Sequence, residues 1–129
     1  MKRENPWELR AILDLAGQSI SRCPSRHERY QQAVNAALER SGVLPASEMG
    51  PDPDFILVVQ LICHGLASEP GYAFTLTTHF GKPVEGEAML FADLQETASG
   101  VGSDEDIVDA IQNITGKVIA DYLAANFAQ

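Results

Sequence analysis

Residues 72–80, YAFTLTTHF, alternate with period two, and no other segment limits the fold as strongly. Tyr72, Phe74, Leu76 and Phe80 fall on one side of an extended strand, and Ala73, Thr75, Thr77 and His79 on the other. A strand with one apolar face belongs to a sheet whose apolar side has to be covered. Glu69-Pro70-Gly71 marks the turn before this strand and Gly81-Lys82-Pro83 the turn after it. A return strand is expected from Gly86 to about Leu94, carrying Met89, Leu90 and Phe91.

The apolar run Phe55 to Cys63, FILVVQLIC, has a length that suits either a buried strand or a buried helical segment. Its β-branched residues Ile56, Val58 and Val59, and its end before His64-Gly65, favour a strand. Ser99-Gly100-Val101-Gly102 reads as a break between sheet and helix. Ser103, with Asp106 three residues on, then caps a long C-terminal helix. Ile107, Ile111, Ile114, Val118 and Tyr122 mark one face of it, and Val108, Ile119 and Leu123 widen that face enough to cover a sheet.

At the other end, Asn5 followed by Pro6 and Glu8 has the form of a capping box with proline at the first helical position. Leu9, Ile12, Leu13 and Ala16 then recur at helical spacing, so a first helix is expected to about Ile20. Arg22-Cys23-Pro24 interrupts it, and Ser25 with Glu28 opens a second helix bearing Tyr30, Ala33, Val34, Ala37 and Leu38. Gly42 ends that helix. The expected architecture is one α+β domain over residues 1–129, a chain of 14.0 kDa that suffices for a single core. It comprises two N-terminal helices as a hairpin over 5–41, a proline-rich connector over 42–54, and sheet plus C-terminal helix over 55–127. The sheet is expected to be short, antiparallel and three-stranded, with the long C-terminal helix packed on it.

Eighteen acidic against nine basic residues give a net charge of −9, which opposes nucleic-acid binding. Residues 1–40 carry a net +2 and the remainder −11, so the N-terminal part can meet the acidic remainder within one molecule or between subunits. The longest apolar run is too short to span a bilayer as a helix, and the N-terminus alternates charged with apolar residues instead of forming a signal-peptide core. No membrane association is expected, and the cytoplasm is the expected location. Two cysteines, Cys23 and Cys63, without a CxxC spacing, fit reduced thiols there.

The candidate catalytic residues are His79, Asp93 and His64, considered only for the case of an enzyme, with Glu96 as a second carboxylate. An imidazole oriented by a carboxylate acts as a general base, provided the two come within hydrogen-bonding distance. Cys63 and His64 are adjacent, and neighbours in a strand point to opposite faces, so they do not form a thiol–base pair. His27 is the third imidazole. Asp104, Glu105, Asp106 and Asp109 suit the positive end of a helix dipole, and Glu105 with Asp109 could share a hard cation only as a minor alternative. Gly100-Val101-Gly102-Ser103 lacks a phosphate-loop pattern. No metal or cofactor is expected. Arg22, Arg26 and Arg29 form the one basic grouping and are candidates for seating an acidic partner surface.

The sequence favours a small acidic adaptor or assembly protein without catalytic activity, acting through a protein partner or self-association, with a homodimer expected. Its rivals are a small enzyme or ligand-binding domain using a histidine–carboxylate pair, and a structural subunit of a larger assembly.

Overall fold

The computed structural model describes residues 8–15, 27–45, 56–65, 71–84, 87–90 and 95–127. In chain order these form β1 (Glu8–Leu15), α1 (His27–Arg40), β2 (Leu44–Pro45), β3 (Ile56–Gly65), β4 (Tyr72–Val84), β5 (Glu87–Leu90), β6 (Glu96–Gly102) and α2 (Asp104–Phe127). The six strands make one mixed sheet in the order β2-β1-β3-β4-β5, with β6 also paired to β4. β1 runs parallel to both β2 and β3, whereas β4 is antiparallel to β3, β5 and β6. Gly81 pairs with Ile56 on one side and Leu90 on the other, so β5 and β6 lie one after the other along the same edge of β4.

This corrects the expected three-stranded antiparallel sheet and the expected pair of N-terminal helices. Among the described residues the helices are α1 and α2, and the segment expected to begin the first helix is β1. ELRAILDL satisfies two periods at once. Leu9 and Leu13 are buried, and Ala11 and Leu15 pack against the core from the same side of the strand. Glu8, Arg10, Ile12 and Asp14 occupy the other side. A strand in register with β3, Leu13 opposite Val59, satisfies both the backbone and this alternation. The cap at Asn5 and the breaker Arg22-Cys23-Pro24 lie outside the described residues, as do residues 46–54 of the connector, while β2 falls within its first part.

The apolar run folds as β3, with Leu57, Val59, Leu61 and Cys63 on the buried side. On β4, Phe74, Leu76, Thr78 and Phe80 face the same way. The expected return strand is present as β5 over Glu87–Leu90, and the rest of its expected span, Gly86 and residues 91–94, lies outside the described residues. The expected break at residues 99–102 belongs instead to strand β6, and glycine is there for space. A Cβ on Gly100 would come within 2.9 Å of the Phe74 ring, and one on Gly102 within 2.4 Å of the Asp106 carboxylate.

Both helices cover the same side of the sheet, α1 against β1 and β2, α2 against β4 and β6, and they also pack on each other. Tyr122 of α2 stacks on Phe80 with ring centroids 5.3 Å apart, within a core that includes Ile107, Ile111 and Ile119. α1 stops in a Schellman turn. Gly42, at φ 83°, donates its N–H to Glu39 O, and Val43 donates to Leu38 O, each at 3.0 Å. α2 starts with a reciprocal cap, since Asp106 accepts from the Ser103 backbone N–H at 2.8 Å while Ser103 Oγ accepts from the Asp106 N–H at 3.4 Å. No helix of the described residues is long and apolar enough to cross a membrane.

Cys63 is half of a disulfide, and no described cysteine is a free thiol. The expectation of reduced thiols is thereby corrected. Cys23, the other cysteine of the sequence, lies outside the described residues.

Two stability measurements follow from this packing. Gly100→Ala pushes a methyl group into the Phe74 ring and is expected to cost about 1–3 kcal/mol in urea unfolding. Reduction of the native protein, or Cys63→Ser, is expected to cost about 2–4 kcal/mol in the same measurement.

Candidate functional site

With both helices on one side, no helix among the described residues covers the opposite side of the sheet, where Ile56 is nonetheless buried, and the register lays out what that side presents. Ile12, Val58 and His79 form one cross-strand row on β1, β3 and β4. Asp14, Gln60, Thr77 and Thr97 form the next, extended onto β6, followed by Ile62, Thr75 and Ser99, and then Ala73 with Val101. Ile12, Ile62 and Val101 are 39%, 36% and 68% exposed. Val58 is half-buried between Ile12 and His79. The polar groups of this face pair across strands: Gln60 Nε2 donates to Asp14 Oδ2 at 3.3 Å, and the Thr75 and Ser99 hydroxyls are also 3.3 Å apart. A shallow depression of about 370 Å³ lies where β4 meets β6, lined by Ala73, Phe74, Thr75, Ser99, Gly100 and Val101.

The two edges of the sheet are treated differently. Along β1, beyond the two-residue β2, α1 supplies side chains where another strand would supply backbone. Leu13 N–H donates to Gln31 Oε1 at 2.8 Å, Gln31 Nε2 donates to Ala11 O at 2.9 Å, and His27 Nε2 lies 2.7 Å from Leu13 O. Asn35 Oδ1 accepts from the same Gln31 amide at 3.1 Å and holds its orientation. These bonds occupy the groups through which a foreign strand would pair. On the opposite side, among the described residues, no strand or side chain is bonded along the outer edge of β6.

The candidate catalytic residues do not assemble. His79 stands on the uncovered face, next to Val58. Glu96 is opposite Thr78, on the helix-covered side, where its carboxylate pairs with Lys117 of α2 at 3.3 Å. Strand alternation therefore puts His79 and Glu96 on opposite faces of the sheet. His64 occupies a β3 position in register with Ala73, and Asp93 lies outside the described residues. Among the described residues no three His, Cys, Asp or Glu side chains converge as metal ligands.

Of the three candidate partner-binding arginines, Arg22 and Arg26 lie outside the described residues. Arg29 is engaged within the chain. From α1 it bonds Asp104 and Glu105 in the first turn of α2, and the Tyr30 hydroxyl donates to Asp104 beside it. The hydrogen bond to Glu105 holds the Arg29 guanidinium above its usual pKa, against a smaller opposing effect of burial, with the charge of Asp104 adding to the rise. The acidic cluster that the sequence offers at 104–106 is thus spent on joining the two helices and on the Ser103 cap.

Sequence reasoning singled out His79 on this face and did not find Ile12, Ile62, Val101 or the edge-capping Gln31. The available signal was the period-two reading of ELRAILDL, in which Ile12 is out of phase with Leu9, Ala11, Leu13 and Leu15.

The chain matches no family model and no curated protein by sequence. Its fold is similar to that of PelC from Paraburkholderia phytofirmans, whose structures are dodecamers. A point variant of PelC in space group C2 aligns with a TM-score of 0.55 at 8% identity, over 87% of this chain and 89% of that one. PelC in space group P6 gives 0.54 at 10% identity, over 91% and 88%. A minor lipoprotein from Acinetobacter baumannii aligns at 0.47 and 16% identity, over 89% and 92%.

The joint between helices generates a prediction. Tyr30→Phe removes a buried hydroxyl that donates to a carboxylate and is expected to cost about 1–3 kcal/mol in urea unfolding at neutral pH. Arg29→Ala is expected to lower Tm while leaving the oligomeric state unchanged, by light scattering, because its partners are in its own chain.

Proposed function

We propose that this protein is a non-catalytic assembly subunit whose product is contact with further copies of itself, made through the side of the sheet that both helices leave bare. The observation that carries this reading is the exposure of Ile12, Ile62 and Val101 on that face, to which Leu44 on the short edge strand β2 adds a further exposed apolar side chain. The three stand on one face in separate cross-strand rows, with Gln60, Thr75 and Thr77 between them, so a partner laid across the face covers all of them at once. The likeness of fold to PelC, whose structures are dodecamers, supports self-association as the form of that interaction. A homodimer is the smallest assembly that meets it, and a closed ring of more copies is the larger form.

The disulfide at Cys63 favours an oxidising compartment over the cytoplasm, because thiols are kept reduced in the latter. The net charge of −9 keeps the isolated subunit soluble and disfavours nucleic acid as the partner.

Multi-angle light scattering of the purified chain across a dilution series tests the proposal. The expected result is a mass of two or more copies that falls on dilution. Ile62→Glu is expected to weaken association by about ten-fold or more, because it carries a charge into the contact. A mass of one chain at every concentration overturns the reading.

A further inference from the structure

We infer that the first two copies join edge to edge through β6, antiparallel about a two-fold axis at Ser99, so that two sheets become one. This rests on the self-assembly reading: the edge joins two copies and leaves the uncovered face, with Ile12 and Ile62, for contact between such pairs.

The sheet has two ends, and one of them is closed to strand addition. The β1 edge has Gln31 and His27 bonded to its backbone at Ala11 and Leu13, and a proline stands in the two-residue β2 outside it. The β6 edge has the opposite character. ETASGVG is seven residues long, carries no lysine and no proline, and has side chains no larger than valine apart from Glu96. Edge strands in monomers are ordinarily protected by such charges, by prolines or by a covering segment. Here the single charge is turned to the helix side and neutralised by Lys117 at 3.3 Å. Within β6 an antiparallel pairing therefore opposes no like charges, and Glu96, which comes opposite Gly102 and the Asp106 carboxylate beside it, is paired with Lys117.

The sequence of β6 is also compatible with its own reverse. A two-fold axis at Ser99 sets Ser99 against Ser99 of the second copy, Thr97 against Val101, Ala98 against Gly100 and Glu96 against Gly102. On the uncovered face this opposes hydroxyls at the centre and β-branched side chains on either side, pairs that suit adjacent antiparallel strands. On the covered side it opposes only small residues near the axis, Ala98 and Gly100. The bare faces of the two copies then run on as one surface, with Ile62 and Val101 repeated on each side of the seam.

Cross-linking the full chain tests this directly. Because Cys63 is held in a disulfide, Ser99→Cys supplies a new thiol at the proposed axis. Two-fold pairing puts its copies about 5 Å apart, within reach of a disulfide. Thr75→Cys, one strand further in on the same face, places its copies roughly 15 Å apart and serves as the control. The expected result is a covalent dimer from Ser99→Cys, seen by non-reducing electrophoresis, and none from Thr75→Cys. A double variant, Thr97→Lys with Val101→Lys, opposes lysines on both sides of the axis and is expected to weaken the dimer at least ten-fold with an unchanged circular dichroism spectrum. Both positions are exposed, so folding tolerates them. If Ser99→Cys stays unlinked while native mass spectrometry still finds an oligomer, the seam is overturned and self-assembly stands. If the protein is a single chain under the same conditions, both fail together.

Discussion

The rest of this molecule depends on a sheet that gathers its large buried apolar side chains on one side. The registers of β1, β3 and β4 bring Leu9, Leu13, Leu57, Val59, Leu61, Phe74, Leu76 and Phe80 to the same face. A slip of one residue in any of these pairings would turn a whole set of apolar side chains outward, so the register is strongly selected. Both helices are then drawn to that face, because it is where their own apolar stripes can be buried. The bare face is the necessary complement of this arrangement, since two helices side by side cover one layer and no third helix is present among the described residues.

Polar groups at the helix ends lock the arrangement. Arg29 and Tyr30 on α1 meet Asp104 and Glu105 on α2, Asp106 closes the Ser103 cap, and Gly102 leaves room for that carboxylate. The basic N-terminal part and the acidic remainder thus meet inside one molecule at this joint. Gln31 and His27 perform a parallel task for β1, using side chains to satisfy backbone groups that the short β2 does not reach. One end of the sheet is thereby finished within the chain, whereas among the described residues nothing is bonded along the outer edge of β6.

Two segments were misread from sequence, for distinct physical reasons. In ELRAILDL, the pair Leu9 and Leu13 fits helical spacing as well as strand alternation, and Ile12 tips a local reading toward helix. The strand prevails because β3 offers a continuous backbone partner, and that partner lies more than forty residues away. In SGVG the glycines suggest a break. They are in fact the contacts of a strand with Phe74 and Asp106, neighbours that only the folded chain supplies. The site was less legible than the fold. His79 was placed on the correct polar face of its strand, but Glu96 sits on the opposite side of the sheet from it, and an exposed isoleucine looks the same in sequence as a buried one.

By itself the sequence determined the local matters: the alternation of 72–80, the helix that follows Ser25, the C-terminal helix, the Gly42 stop and the Ser103–Asp106 cap. Each depends on residues within one or two turns of one another, where sterics and backbone hydrogen bonding act without help from the rest of the chain. Tertiary structure decided the strand state of the apolar run at 55–63, the parallel pairing of β1 with β3, the placement of both helices on one face, the internal use of Arg29, and the capping of the β1 edge by Gln31 and His27. These depend on which distant segments meet, and burial of apolar surface is non-directional, so no local pattern specifies them.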